Sequence, residues 1–166
     1  VLQDSESQDA EDIILLDARS RYELTDSQNW IETFAVKLKI VSYKGKKDYA
    51  EIKLNYNPVW EELELVKAAV TNGDQTQTIS DKEKNIMDAS WAASAPRYPA
   101  AKTLVASLPG VEIGSVVEYE YKRIVKNHPF FAKETVFAGH YPLVAKQVEL
   151  YCPQDMELLL LTDNDG

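Results

Sequence analysis

The chain has 166 residues, 45% of them hydrophobic, enough to bury a core without disulfides or a bound metal. A formal net charge of −9 argues against a nucleic-acid binder, which needs cations to displace the counterions of phosphate, and against an anionic membrane surface. One cysteine excludes an intrachain disulfide and any metal site built on paired cysteines, and no stretch approaches the ~20 apolar residues of a membrane-spanning helix.

In chain order, residues 1–11 are polar and acidic and read as a linker or frayed end, leaving 12–166 as one domain. From Leu16 to Leu24 the chain alternates: Leu16, Ala18, Ser20, Tyr22 and Leu24 share one face, Asp17, Arg19, Arg21 and Glu23 the other. The cluster Thr25-Asp-Ser-Gln-Asn29 is a turn. A second strand runs from Trp30 to Tyr43, with Trp30, Phe34, Val36, Leu38 and Ile40 inward, so the two strands read as a hairpin. Lys44-Gly-Lys-Lys-Asp48 reads as the next turn and Tyr49 to Tyr56 as a third strand, stopped by Asn57-Pro58.

Glu61 to Val70 fits helix or strand by propensity. The Leu63/Leu65 spacing and the Asn72-Gly73 turn favour strand, with Gln75 to Ile79 pairing back as a polar edge. Ser80-Asp-Lys-Glu83 has the form of a capping box, which predicts one or two helical turns toward Met87. Asp88 to Ala101 reads as a long loop. Strands follow at Lys102–Leu108, on to Val125 after a Pro/Gly connection, and at Lys133–Ala138. A last hairpin, Leu143–Cys152 and Met156–Leu161, turns at Pro153-Gln-Asp155. About ten strands with at most one short helix predict an all-β antiparallel sandwich or barrel.

Candidate chemistry is sparse. A thiol enzyme would set Cys152 beside His128 or His140, but Cys152 precedes Pro153 at a strand end and not a helix N-terminus that would favour a thiolate. Asp163-Asn-Asp-Gly166 imitates part of a calcium loop, but position 1 of that pattern would be Leu161, so a turn is the better reading. Glu61, Glu62 and Glu64 could pair carboxylates for glycoside chemistry, yet nothing sets two of them across a cleft. Trp60 and Trp91 lie in loop-like segments and are the candidates for surface contact with a glycan or protein; Trp30 reads as core. We assign no catalytic residue, metal ligand or cofactor.

The most specific stretch is Ser107-Leu-Pro-Gly-Val-Glu-Ile-Gly-Ser-Val-Val-Glu-Tyr-Glu-Tyr121. Pro109-Gly110 and Gly114 mark a tight connection, with φ > 0 expected at one of the glycines. Beyond it Val117, Tyr119 and Tyr121 point one way, Glu118 and Glu120 the other. Together with Asn55-Tyr-Asn-Pro58, Glu62-Leu-Glu-Leu65, Pro99 and Tyr141-Pro142, in that order, the stretch resembles domain-of-unknown-function family 3857, from about Asp12 to Asp163.

The resemblance implies an immunoglobulin-like β-sandwich. It also implies a place in exported bacterial proteins, N-terminal to a transglutaminase-like, papain-related domain of the same polypeptide. That domain would own the Cys-His-Asp set; none of it maps here, and no cofactor, nucleic acid or membrane insertion is implied. Both ends of the sequence read as cuts, so a piece of a longer protein is expected. On this reading Pro109, Gly110, Gly114, Glu118, Tyr119 and Tyr121 are structural signature positions.

Overall fold

A computed structural model describes residues 11–89, 101–137 and 141–161. Nine strands lie among them: β1 (Ile13–Leu24), β2 (Trp30–Ile40), β3 (Glu51–Tyr56), β4 (Glu61–Asn72), β5 (Gln75–Thr78), β6 (Lys84–Asp88), β7 (Lys102–Ser107), β8 (Val116–Val125) and β9 (Lys146–Tyr151). They form two sheets, one of six strands in the order β5-β4-β8-β2-β1-β9, the other of three, β3-β7-β6. The architecture is a β-sandwich with layers of unequal width. All pairs are antiparallel except β1 with β9, where Ala18–Glu23 run parallel to Lys146–Tyr151.

The alternating runs fold as their pattern requires, because each places one apolar face on the core. Two bulges adjust the parity. Leu16 is the extra residue of β1, where the register with β2 slips between Leu15 and Asp17. Inward positions are therefore Ile13 and Leu15 before it and Ala18 and Tyr22 after it, and Leu16 is not one of them. In β4 the half-exposed Val66 is the extra residue between Leu65 and Lys67.

Several expectations are corrected. Lys44–Asp48 belongs to a short helix, α1 (Tyr43–Asp48), capped by Ser42, whose hydroxyl accepts from the Gly45 amide. β2 accordingly ends at Ile40 rather than Tyr43. The capping box at Ser80 is present but opens only a 3-10 turn, Asp81–Glu83; Lys84–Asp88 is then strand, since it finds an open partner in β7. Residues 133–137 form no strand, and Glu157–Leu161 does not return as a hairpin; β9 finds its partner in β1 instead. Trp91, Pro99, His140 and Asp163-Asn-Asp-Gly166 lie outside the described residues.

The core has two parts. The larger lies between the sheets, with Val36, Leu38, Ile40, Val70 and Val117 facing Ile52, Leu54, Leu104 and Ala106. The smaller, Tyr22, Leu24, Trp30 and Val125, draws only on the six-stranded sheet and is covered by Phe131, Val148 and Met156. Six strands span ~24 Å and three ~10 Å, so the small sheet cannot cover the large one. The segment 126–137, which has no regular structure, supplies part of the missing cover.

Candidate functional site

The signature stretch is a corner between the layers: β7 lies in the small sheet and β8 in the large one. Gly110 and Gly114 both have positive φ, 77° and 94°. Pro109 sits at the exposed corner, while Leu108 and Val111 on either side of Pro109-Gly110 are buried. The Ser115 hydroxyl accepts from the Glu112 amide at 2.8 Å and donates to the Asn72 side-chain oxygen. Asn72 Nδ2 in turn donates to the Gly110 carbonyl at 2.8 Å. Glu118 pairs with Lys67 on the outer face, and Tyr119 and Tyr121 pack against the inter-sheet core.

A charged cluster lies on the inner face between the two core parts. Glu32 on β2, Arg123 on β8 and Tyr22 on β1 occupy one cross-strand row. Glu32 is only 5% exposed. Tyr121 donates to its Oε1 at 3.0 Å, Lys133 approaches its Oε2 at 3.2 Å, and Arg123 Nε stands 3.8 Å from the same oxygen. Arg123 also reaches Glu61 Oε1 and the Asn55 carbonyl, both at 3.1 Å. Glu61 Oε2 accepts from the Asn57 amide. Burial first, then the Glu32 charge, raises the Tyr121 and Tyr22 phenols above their ordinary range and keeps them neutral.

Both oxygens of Glu32 are engaged, and Arg123 beside it is shared with Glu61 and the Asn55 carbonyl. The cluster ties strands together and offers no free base or nucleophile. Sequence reasoning passed over Glu32, Arg123 and Lys133. The signal for the first two was parity: Glu32 falls between Trp30 and Phe34, and Arg123 continues the series Val117, Tyr119, Tyr121.

Two shallow surface depressions lie away from this cluster. A shallow trough of about 300 Å3 on the outer face is lined by Arg19, Arg21, Thr33, Ala35, Glu120 and Glu149. A smaller one, about 210 Å3, lies over Glu62, Leu63, Glu64, Lys122 and Ile124. Glu62 there pairs with Lys126 and Glu61 with Arg123, so these carboxylates are engaged in ion pairs on opposite faces of β4. Among the described residues no group of three or more His, Cys, Asp or Glu could hold a metal ion.

Cys152 is exposed just after β9. His128 is instead held in an aromatic cluster, edge-on to Trp30 at 5.2 Å and to Trp60 at 5.9 Å, with Nδ1 donating to the Phe130 carbonyl. Trp60 is half-buried, its neighbour Val59 is exposed, and so is Phe130, which stands edge-on to His128 at 6.2 Å.

Exposed large apolar side chains cluster in the chain before, within and after β9: Val136, Phe137, Val144, Tyr151 and Leu158–Leu161, with Leu159 85% exposed. Lys146 links two of these, its ammonium reaching the Val136 carbonyl at 2.5 Å and lying 5.6 Å from the Phe137 ring centroid. Among the described residues no helix is long and apolar enough to cross a membrane.

Among solved structures, the chain is similar to a "putative protease" from Parabacteroides distasonis, with 20% identity and a TM-score of 0.63 over 69% of this chain. The match spans only 23% of that longer protein. A CBM3a-L domain with flanking linkers, from a cellulosome scaffoldin of Clostridium thermocellum, has 12% identity and a TM-score of 0.35 over 71% of this chain and 69% of that one, too low to carry any argument. No curated protein matches at a significant level. The family model for DUF3857, a Domain of Unknown Function with solved-structure structure, matches residues 26–165, and the chain belongs to that family.

Proposed function

We propose that this chain is a non-catalytic accessory β-sandwich of a larger, exported bacterial protein, packing beside or presenting substrate to a downstream transglutaminase-like cysteine hydrolase domain. The observation that carries the reading is the exposed leucine run Leu158–Leu161 that follows β9 in the chain. Four consecutive leucines are apolar on both faces of an extended chain, a pattern suited to a strand buried on both sides. Leu159, Leu160 and Leu161 are instead 82–85% exposed, and contiguous apolar exposure marks a contact surface. A similar fold occupies a minor share of the Parabacteroides protein, whose description as a protease is consistent with chemistry held elsewhere in a longer chain. The Cys-His-Asp set belongs, on this reading, to the following domain.

Hydrogen exchange of Leu158–Leu161 in the longer polypeptide, set against residues 1–166 alone, tests the proposal. Protection gained in the longer chain supports it. Equal exchange overturns it, as does a reading frame that lacks a Cys at a helix start followed by His and Asp.

A second reading, contact with a glycan or protein through aromatics, is favoured by the exposure of Val59 next to Trp60 and of Phe130, with Trp60 and Phe130 both edge-on to His128. Trp60→Ala should then abolish glycan-array binding with little change in melting temperature. A large loss of stability would make Trp60 a packing residue.

A further inference from the structure

The segment 126–137 lies over the inner face as a strap with two kinds of attachment. Its root is fixed by backbone: the Lys126 amide donates to the Trp60 carbonyl, the Asn127 amide to Asn29 Oδ1 and the His128 amide to the Gln28 carbonyl. Beyond the root it joins no ladder and is held mainly by side chains. Phe131 stands edge-on to Tyr22 and Trp30, at 5.7 and 5.2 Å. Two residues on, Lys133 reaches Glu32 and lies 5.5 Å from the Tyr22 ring centroid. Lys146 steadies the far end through the Val136 carbonyl.

The fit is incomplete. Among the described residues Trp30 Nε1 and Arg123 Nε are buried donors with no hydrogen-bond partner, and Trp30 is only 5% exposed. Buried donors are nearly always paired. The strap thus supplies the aromatic ring and the cation that this floor needs, but no acceptor for these two donors.

We propose that the floor beneath the strap, formed by Tyr22, Trp30, Glu32, Tyr121 and Arg123, is a binding site for an extended peptide segment of a partner protein, one carrying an aromatic side chain and a lysine two residues apart, and that Phe131–Lys133 is the resident such a segment displaces. The aromatic enters the Tyr22/Trp30 slot, the ammonium pairs with Glu32, and peptide carbonyls accept from Trp30 Nε1 and Arg123 Nε. The buried carboxylate selects a cation, and the alternation of Phe131 and Lys133 selects an extended backbone. Neither a neutral sugar nor a lipid chain meets that charge.

The strap competes from within the same chain at high effective concentration, so an added peptide binds weakly until the resident is weakened. The test titrates the synthetic octapeptide Pro-Phe-Phe-Ala-Lys-Glu-Thr-Val into the unaltered protein and into Phe131→Ala, following tryptophan fluorescence. We expect saturable binding at least about 10-fold tighter in the variant, lost when the peptide's lysine is replaced by glutamate. No binding by a folded variant overturns the proposal, as does binding indifferent to that replacement or saturable binding of oligosaccharides instead.

If Phe131→Ala fails to fold, exchange of the Trp30 indole proton in the unaltered protein decides. Exchange well ahead of the β2 amides means that the strap lifts from a folded sheet. Exchange only with those amides means that it cannot leave, and the site does not exist.

Discussion

A Cβ on Gly45 would stand 2.1 Å from the carbonyl oxygen of Asp12, a backbone atom that cannot swing aside. A Cβ on Gly114 meets nothing within 4 Å and suffers only from its φ of 94°. The two glycines are therefore required for different reasons. Gly114→Ala should cost ~1 kcal/mol in urea unfolding, and Gly45→Ala clearly more. Equal losses would mean that α1 shifts freely against β1. Glu32 poses the opposite question, since its loss leaves charges rather than bulk. Glu32→Ala strands Lys133, takes one partner from Arg123 and removes the acceptor of Tyr121. A loss of ~3 kcal/mol is expected by the same measurement; under ~1 kcal/mol would mean that water reaches the cluster.

Among the elements, α1 shows how a short piece of structure borrows its stability. Six residues cannot hold a helix by propensity. Ser42 caps it, and the Ser42 hydroxyl donates to Asp12 Oδ1 at 2.6 Å while Lys44 pairs with the other Asp12 oxygen. The bonds from Lys44 and Ser42 hold the Asp12 carboxyl below its ordinary range, so this contribution is present above pH ~4 and fades as pH falls through the lowered value. Ser42→Ala should cost ~1 kcal/mol at neutral pH and less in acid, read from melts across pH. Strands with a clean period of two, such as β2, β3 and β8, were legible because the burial that forms them is written locally. The one-residue slip at Leu16 was not, because a bulge depends on the partner strand. Lys84–Asp88 and Lys133–Phe137 were misread for the same reason. The first had a ladder waiting in β7; the second had none.

Across the whole molecule, the unequal sheets decide where polarity can hide. The parity of Glu32 and Arg123 could be read from sequence, but not their meeting with Lys133, which depends on a strap folding back over a sheet too wide for its partner layer. Burial also collects phenols. Tyr22, Tyr49, Tyr119 and Tyr121 are all raised above the ordinary value of 10.0 chiefly by loss of water, Tyr49 to about 12. Below pH ~10 both folded and unfolded chains keep these protons, and the full contribution is present. As pH rises further the unfolded chain ionises first, so stability falls through the folded values. Unfolding midpoints should drop steeply above pH ~10, and Tyr121→Phe should flatten the drop; tyrosinate absorbance beside a chemical melt reads both. A flat alkaline profile would mean that these rings are hydrated.

The parallel pairing of β1 with β9 joins residues 18–23 to residues 146–151. During synthesis on a ribosome, β1 and β2 emerge early and can close their hairpin at once, but the far edge of β1 has no partner until nearly the whole domain has been made. Nascent chains on neighbouring ribosomes meet throughout that interval, and an unpaired strand edge is a template for wrong partners. Asp17, Arg19, Arg21 and Glu23 place a charge at every second residue of this strand, and Arg19–Asp17 and Arg21–Glu23 are ion pairs within the strand itself. Charges that look idle on the finished surface would shield β1 through the wait for its last neighbour.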